Sequence, residues 1–381
     1  MKLSFLQPLT DEPGPWASVC LDTSRDVDDP DKAIGLRWRH QRETLRAQGA
    51  DPATVSALED VAGADRDLPG RHGQALFATH GHVALAEELP DPPVRDTARF
   101  GRLPDAMVLA RQHAPDIPYV SVALTRDDPL LTAGEENGQS PTDQVLIAYE
   151  AGRWPMSRVA PGRRTTHLVQ VGEWQHAARR FAQELADLAD RHRAEAVVLR
   201  RDAGEPWLSG VLVNRLPMHL QNSLTVVEDD QGTDVGGSQG RALIEERVAG
   251  VLDGLLSKAD ERHLDVFLAQ RARHRAKSQG ARAVVTALQR RQAQAVLLSP
   301  PTRLPERLWT GTQPSEIAFS AQELVAFGAS TVLEEPADTA LLHATLRTGA
   351  DLVVLPPDET PLADGVGVVL RYHDVEDLAA L

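Results

Sequence analysis

Apolar residues recur at helical spacing after a glycine in VGEWQHAARRFAQELADLADRH (171–192), the longest periodic segment of the middle of the chain. One face of the predicted helix, which spans about residues 174–193, carries Ala178, Phe181, Leu185 and Leu188. Strand-like runs flank this helix at 119–125, 144–149 and 196–200. Strands that alternate with an amphipathic helix predict layered α/β structure.

Upstream of this region, WASVCLD (16–22) predicts a strand, and two predicted helices follow it. Their starts share one pattern, because Asp29 precedes Pro30 and Asp51 precedes Pro52. An acidic N-cap followed by proline at the first helical position is typical of a helix start.

A hairpin is predicted at QALFATHGHVALAEEL (74–89), with its turn at the His-Gly-His centre. Near the carboxyl end the pattern alternates again between helices and strands. Helices are predicted at about 240–277, 281–293 and 337–348, and strands at AVLLS (295–299), DLVVLPP (351–357) and GVGVVLRY (365–372).

Two breaks divide the chain. The proline-rich residues 90–118 are typical of a connector, and the polar, glycine-rich residues 228–240 lack any periodicity. We therefore predict three domains, over residues 1–115, 116–230 and 240–381. The fold class is α/β, in a three-domain arrangement.

Composition excludes several classes of protein. The 381 residues carry 40 basic and 55 acidic side chains, a formal net charge of −15. No apolar run is long enough for a membrane helix, and the first residues lack a secretory pattern, so we expect a cytoplasmic location without membrane or DNA as partner. Cys20, the single cysteine, allows no internal disulfide and no multi-cysteine metal site.

Motif searches find no catalytic, metal or nucleotide site. Gly236-Gly237-Ser238-Gln239-Gly240 lacks the lysine of a phosphate loop and predicts a hinge, whereas Gly365-Val366-Gly367 leads into a strand. His80 and His82 have no third ligand at metal spacing, and the acidic run 26–31 fits helix capping better than a calcium loop. We expect no cofactor and no metal.

Basic residues concentrate in two islands, with eleven arginines against seven acids in 153–216 and eight basic residues against one acid in 262–291. A separate group of arginines lies on the first predicted helix, where Arg39, Arg42 and Arg46 share one face. Such groups are either solvated helix faces or phosphate contacts.

Besides the arginines of the first helix, a second group of candidate RNA-binding residues surrounds the start of the predicted helix at residue 174. A glycine turn with an aromatic tip ahead of an arginine-bearing helix start suits an RNA end, with stacking on Trp174 and phosphate pairing by arginines. The alternative is a core tryptophan beside a solvated helix. The candidate RNA-binding residues are Arg37, Trp38, Arg39, Arg42, Arg46, Arg163, Arg164, Gly172, Trp174, Gln175, His176, Arg179 and Arg180.

The order of these motifs resembles the archaeo-eukaryotic release factor and Pelota superfamily, in its bacterial branch that includes ribosome-hibernation factors. The resembling segments are LRWRHQRETLRAQGAD (36–51), VGEWQHAARRF (171–181), LLHATLRTGADLVVLPP (341–357) and GVGVVLRY (365–372). The resemblance implies an N-terminal domain for the decoding region, a ribonuclease-H-like middle domain and a C-terminal α/β sandwich similar to an RNA-binding ribosomal-protein fold.

The resemblance also implies partners: the ribosome through its rRNA, the P-site tRNA end, and elongation factor Tu. Release factors place a Gly-Gly-Gln tripeptide ahead of an Arg-Phe helix. This chain has Arg180-Phe181 but lacks the tripeptide. We therefore expect a non-enzymatic factor that occupies the ribosomal A site during hibernation or stress. Two alternatives stay open, a rescue factor or peptidyl-tRNA hydrolase that uses Gln175 or His176, and a protein–protein adaptor.

Overall fold

The computed structural model describes residues 1–127, 143–202, 206–229, 241–357 and 360–372. The chain forms two compact units. The first comprises Met1–Arg66, Gly70–Pro115 and Leu256–Leu381, and the second comprises Asp67–Pro69 and Asp116–Leu255. The predicted glycine hinge at 236–240 lies outside the described residues, and the three-domain division stays a prediction.

The amino-terminal part of the first unit has a four-stranded antiparallel sheet of order β3-β2-β1-β4. Its elements are α1 (Pro8–Asp11), β1 (Trp16–Asp22), α2 (Pro30–Ala47), α3 (Pro52–Val61), β2 (Gly73–Thr79), β3 (His82–Leu89), β4 (Thr97–Gly101) and α4 (Met107–His113), with a 3-10 turn at Ser4–Leu6.

Both predicted helix starts are confirmed. The Asp29 carboxylate accepts the Lys32 backbone N–H at 3.3 Å, and that of Asp51 accepts the Thr54 N–H at 2.9 Å. These bonds satisfy amide groups that a helix start leaves without a partner inside the helix. The strand at 16–22 and the hairpin at 74–89 are confirmed as well, and Cys20 is buried.

The connector predicted at 90–118 is wrong in part, because β4 and α4 lie within it. Strand β4 pairs with β1 at the edge of the sheet. Its residues, TARFG, are free of proline, so their backbone amides can form ladder hydrogen bonds that the neighbouring prolines cannot.

The second unit contains one five-stranded sheet of order β7-β6-β5-β8-β9. Its elements are β5 (Ile117–Asp127), β6 (Gln144–Trp154), β7 (Thr165–Gln170), α5 (Trp174–His192), β8 (Ala196–Asp202), α6 (Pro206–Val213), α7 (Met218–Gln221), β9 (Leu224–Asp229) and α8 (Glu245–Leu252), with 3-10 turns at Met156–Arg158 and Val171–Glu173.

In this sheet β5, β6 and β7 form an antiparallel meander, and β8 and β9 add in parallel beside β5. This strand order is that of a ribonuclease-H-like fold, as the resemblance implied. Helix α5 lies against β5 and β6 and fills the main apolar cluster of the unit through Ala178, Phe181 and Leu185.

The carboxyl-terminal part of the first unit carries two three-stranded sheets, of order β14-β10-β15 and β12-β11-β13. Its elements are α9 (Lys258–Arg273), α10 (Arg275–Ser278), α11 (Ala281–Gln289), β10 (Ala293–Leu298), β11 (Arg307–Thr310), β12 (Ile317–Ala318), α12 (Ala321–Ala326), β13 (Leu333–Pro336), α13 (Ala337–Arg347), β14 (Asp351–Val354) and β15 (Val366–Leu370), with a 3-10 turn at Ala363–Gly365.

One apolar cluster joins the two ends of the chain inside the first unit. It contains Phe77 and Leu109 from the amino-terminal part and Val284, Leu298 and others from the carboxyl-terminal part. The α/β class predicted from the sequence is confirmed. No helix in the described ranges is both long and apolar enough to cross a bilayer.

Candidate nucleic-acid interface

The predicted RNA-contact region of the second unit is a sharp connection between β7 and α5. Only Val171–Glu173 separate the last residue of β7 from Trp174, the first residue of α5, and they form a 3-10 turn. The Val171 N–H donates to the Asp143 carbonyl at 3.1 Å and fixes the start of this turn. No projecting loop lies between the strand and the helix.

Trp174 is a core residue, and the prediction that its ring stacks on RNA is wrong. Its side chain is 0% exposed, its indole N–H donates to the Leu208 carbonyl at 3.1 Å, and its ring lies 6.0 Å from that of Phe181. The reason is helical periodicity, since Trp174 lies four residues before Ala178 and seven before Phe181 and so shares their buried face.

The opposite face of the first turns of α5 is exposed. Gly172, Gln175, His176 and Arg179 lie at helical spacing on this face, and we call them the α5 tip. No side chain caps the start of α5, although the Trp174 N–H already donates to the Val171 carbonyl, and the helix dipole favours an anion there. Glu173 is the one carboxylate within the exposed turn and opposes that preference.

Gly172 is not required by the local fold. A Cβ built at this position meets no atom within 4 Å, and its φ is not in the left-handed region. Packing and backbone geometry therefore permit other residues here.

Arg180 lies beside the tip and belongs to a polar network that sequence reasoning missed. Its guanidinium packs over the Phe181 ring at 4.7 Å and lies 3.5 Å from the Glu184 carboxylate. Glu184 accepts a short hydrogen bond from the Tyr149 hydroxyl, and His167 Nε2 lies 3.4 Å from that hydroxyl. Burial, followed by the bond to Glu184, raises the pKa of Tyr149 above its usual value.

This network orients Arg180 through Glu184. Its members come from two strands and one helix, so no sequence spacing announces it. In the sequence, only the i,i+4 spacing of Arg180 and Glu184 indicates this network, and the contacts with Tyr149 and His167 are visible only in the structure.

Arg163 and Arg164 differ in availability. Arg163 is exposed and forms no ion pair among the described residues. Arg164 donates to the Arg241 carbonyl at 3.0 Å and lies 3.6 Å from Glu150, whose side chain is buried and accepts the Leu243 N–H. Arg164 therefore compensates a buried carboxylate, and an RNA contact through it would have to disrupt these bonds.

The arginine face of α2, in the first unit, is only partly open. Trp38 is buried with Leu45 in the apolar cluster of this part, so the prediction that it contacts RNA is wrong for the same reason as at Trp174. Arg37 pairs with Asp22 at 2.9 Å, and Arg42 pairs with Glu59 at 2.7 Å.

Arg39 and Arg46 are exposed, and no ion pair involves either of them within the described ranges. The Arg42–Glu59 pair is itself partly solvated, so it contributes no more than about 1 kcal/mol and can exchange for a phosphate. Arg39, Arg42 and Arg46 together, which we call the α2 face, can still meet a polyanion.

The sequence analysis considered His80 and His82 as metal ligands, but the structure brings together a different group of ligand-type side chains. His80 contacts the Pro13 carbonyl at 3.0 Å, and His82 lies 3.2 Å from Glu12. Asp65, His72 and Glu88 form the only described group of three ligand-type side chains with close ligand atoms.

Comparison with known proteins finds a family model that matches the middle of the chain. Residues 118–273 match the family model described as bacterial archaeo-eukaryotic release factor family 2. This part of the chain is similar to the bacterial archaeo-eukaryotic release factors. The superfamily resemblance seen in the sequence is thereby confirmed, and the matched segment contains β5 from its second residue, β6 to β9 and the α5 tip.

Two full-length relatives are uncharacterized proteins of Mycobacterium tuberculosis, Rv2629 of strain H37Rv and MT2704 of strain CDC 1551. Each is 25% identical over 390 residues, covering 98% of this chain and 97% of the relative. The similarity therefore extends on both sides of the family match.

Solved structures with some likeness include an archaeal translation termination factor, aRF1, at 13% identity, covering 96% of this chain and 95% of that one, with a TM-score of 0.21. Pelota of Archaeoglobus fulgidus is 13% identical, covering 80% of this chain and 84% of that one, with a TM-score of 0.33. A ribosome-bound archaeal Pelota is 12% identical, covering 96% and 92%, with a TM-score of 0.34.

Proposed function

We propose that this protein is a translation factor that binds the ribosome at the A site, without peptide-release chemistry, and protects ribosomes during hibernation or stress. The match of residues 118–273 to a release-factor family model supports the ribosome as partner. The absence of peptide-release chemistry is inferred from the three-residue turn Val171–Glu173, which lies before the Arg-Phe helix, where release factors have a Gly-Gly-Gln loop.

The physical argument starts from what peptide release needs. A hydrolytic loop must reach the ester bond of peptidyl-tRNA and position a water molecule there, which requires backbone that projects beyond the domain surface. Here β7 passes into α5 through one 3-10 turn, and Trp174 anchors the start of the helix in the core. The α5 tip can therefore touch RNA but projects no further.

What the tip offers is phosphate binding. The helix dipole and Arg179 attract a phosphate, and Gln175 and His176 can donate hydrogen bonds to ribose or base edges. On the other unit, the α2 face offers three further guanidinium groups. Both surfaces suit rRNA or the P-site tRNA end, and neither requires a cofactor.

Ribosome binding is tested with the purified full chain and vacant ribosomes, by co-sedimentation over a series of potassium concentrations. Arg179→Ala is compared with Arg191→Ala, a matched loss of one exposed arginine from the other end of the same helix. We expect Arg179→Ala to weaken binding and to lower the slope of log affinity against log salt by about one, because one phosphate contact is lost. Arg191→Ala should behave as the wild type.

Failure of the wild type to co-sediment would contradict the ribosomal proposal and favour the adaptor alternative. Equal effects of the two substitutions would contradict the placement of RNA at the α5 tip.

A hydrolytic function has one observation in its favour, the exposure of Gln175 and His176 beside Gly172. Peptidyl-tRNA hydrolysis on stalled ribosomes is measured for the wild type and for Gln175→Ala/His176→Ala. We expect no release from either protein. Release by the wild type that the double substitution abolishes would establish the rescue-factor alternative instead.

The hibernation role is tested by fractionating lysates from growing and starved cells. We expect the protein to move into the ribosomal fractions on starvation. Equal occupancy in both states would contradict a role in dormancy while leaving ribosome binding intact. Elongation factor Tu, added as a GTP complex, tests whether that factor assists loading.

A further inference from the structure

Three metal-ligand side chains from separate segments meet in the first unit, at the segment that joins α3 to β2. Asp65 lies in that segment, His72 directly precedes β2, and Glu88 lies in β3. One ligand atom from each lies within 4.8 Å of the other two. Asp65 Oδ2 and His72 Nε2 are 2.6 Å apart.

The imidazole is oriented as a ligand would be. His72 Nδ1 lies 3.1 Å from the Gly70 carbonyl, so Nδ1 carries a hydrogen and Nε2 faces the carboxylates. In metal-bound histidines the far nitrogen almost always donates to a carboxylate, a backbone carbonyl or water, which fixes the ring and its tautomer. The side chain of His72 is 1% exposed, so the ring is held and not free to turn.

The carboxylates are oriented too, and each keeps an oxygen without a hydrogen bond. Gln74 donates to Glu88 Oε1 at 2.9 Å, and its own carbonyl accepts the Gly63 N–H at 2.8 Å. Glu88 Oε2 is buried without a hydrogen-bond partner, and so is Asp65 Oδ1. The side chain of Asp65 is only 4% exposed.

Protein cations compensate this buried charge incompletely. Arg25 lies 3.7 Å from Asp65 Oδ1, but its guanidinium hydrogen bonds go to the Asp31 carboxylate at 2.9 Å and to the backbone carbonyls of Gly63 and Asp65 at 3.1 and 3.3 Å. Apart from the His72 contact to Asp65, the Asp65 carboxylate and the half-buried Glu88 carboxylate have this one arginine nearby, and such incomplete compensation is costly in a medium of low dielectric constant. A dication between them would satisfy both free oxygens at once.

We propose that Asp65, His72 and Glu88 bind one divalent first-row transition-metal ion of the zinc class. One imidazole nitrogen and two carboxylate oxygens suit Zn²⁺ at bond lengths of about 2.0–2.2 Å, with water in the fourth position. Binding requires the 2.6 Å contact between Asp65 Oδ2 and His72 Nε2 to open, because two ligand atoms on one tetrahedral Zn²⁺ ion lie about 3.3–3.6 Å apart. The bound ion would fasten the segment between α3 and β2 to strand β3.

The competing occupant is a proton. Burial, with the hydrogen bond from Gln74 opposing it, raises the pKa of Glu88 to about 8, so the carboxyl can share a proton with Asp65 in place of a metal. The experiment must therefore measure the ion itself.

The full chain is stripped with a chelator and titrated with Zn²⁺ by calorimetry in the presence of millimolar Mg²⁺. Co²⁺ serves as a second probe, since its visible absorption reports coordination. We expect one equivalent to bind and Glu88→Gln to lower the affinity by roughly 10- to 100-fold or more. Two matched controls should leave the affinity unchanged. Glu87→Gln removes a carboxylate next to Glu88 in the chain, and His82→Asn removes an imidazole outside the cluster.

His72→Asn is the most direct variant, but it alters a buried ring, so its melting curve is compared with that of Glu88→Gln, which keeps the shape of its side chain. Absence of saturable one-to-one binding by the wild type would overturn the proposal. So would equal affinity for Zn²⁺ in Glu88→Gln and Glu87→Gln, or displacement of Zn²⁺ by millimolar Mg²⁺.

Discussion

Trp174→Ala separates the two interpretations of the most conspicuous aromatic residue in the family segment. The ring is fully buried, contacts Phe181 and donates a hydrogen bond to the Leu208 carbonyl. Truncating a buried tryptophan costs roughly 3–5 kcal/mol, because apolar contacts are lost and a cavity remains. The unpaired Leu208 carbonyl belongs to that cost at about 1–3 kcal/mol, so we expect a value near the upper end of the range.

Two further variants calibrate this magnitude. Trp174→Phe keeps most of the apolar volume and loses the hydrogen bond, so it should cost about 1–3 kcal/mol. Trp207→Ala makes the same truncation at a tryptophan of α6 that is 41% exposed, and should cost less than Trp174→Ala because less apolar surface is lost.

The assay is urea denaturation of the full chain followed by far-ultraviolet circular dichroism, with ribosome co-sedimentation on the same preparations. Because the chain forms two compact units, the curve can contain two transitions, and the loss should fall on the transition of the second unit. A Trp174→Ala protein that unfolds like the wild type but binds ribosomes about 5- to 150-fold more weakly would refute burial and establish stacking on RNA.

The remaining predictions concern the α2 face, salt, Gly172 and pH. Arg39→Glu/Arg46→Glu should weaken binding to the small ribosomal subunit while the melting temperature stays within about a degree or two, because neither side chain forms an ion pair in the described structure; unchanged co-sedimentation would make this face a solvated one. Wild-type affinity should fall steeply with potassium concentration, since each phosphate contact releases counterions, and a flat titration would exclude RNA as the main ligand. Gly172→Ala should leave thermal stability unchanged, because a Cβ meets no atom there, and a large drop in melting temperature would show a packing role. Burial, then the charges of Arg347 and Arg102, lowers the pKa of His343 from 6.5 to about 4, so the neutral imidazole stabilises the folded state fully above pH 6.5 and that stability is lost as the pH falls through 4. The loss amounts to at most about 3 kcal/mol and should be absent in His343→Leu, as urea midpoints at pH 7.5 and 4.5 would show; parallel pH profiles of the two proteins would contradict it.

The sequence by itself determined the features that depend on neighbours along the chain. Helix starts at Asp29 and Asp51 follow from capping chemistry within three residues, and helix α5 follows from apolar spacing over five turns. The same spacing also predicts that Trp174 is buried, because residues 174, 178, 181 and 185 lie on one face of the helix. The arginines and the glycine around Trp174 favoured stacking of RNA on its ring, and that prediction is wrong because the ring is buried.

The tertiary structure alone decided which charged groups are engaged and which are open. Arg164 and Arg163 are adjacent in the sequence, yet one compensates the buried Glu150 and the other faces solvent. Strand β4 is short and partly polar, and it forms because β1 offers an open edge. The cluster of Asp65, His72 and Glu88 has no spacing that a motif could capture, because sheet pairing and a loop bring its members together. Electrostatic and coordinating interactions depend on distance in space and on burial, and these arise only when remote segments pack against one another.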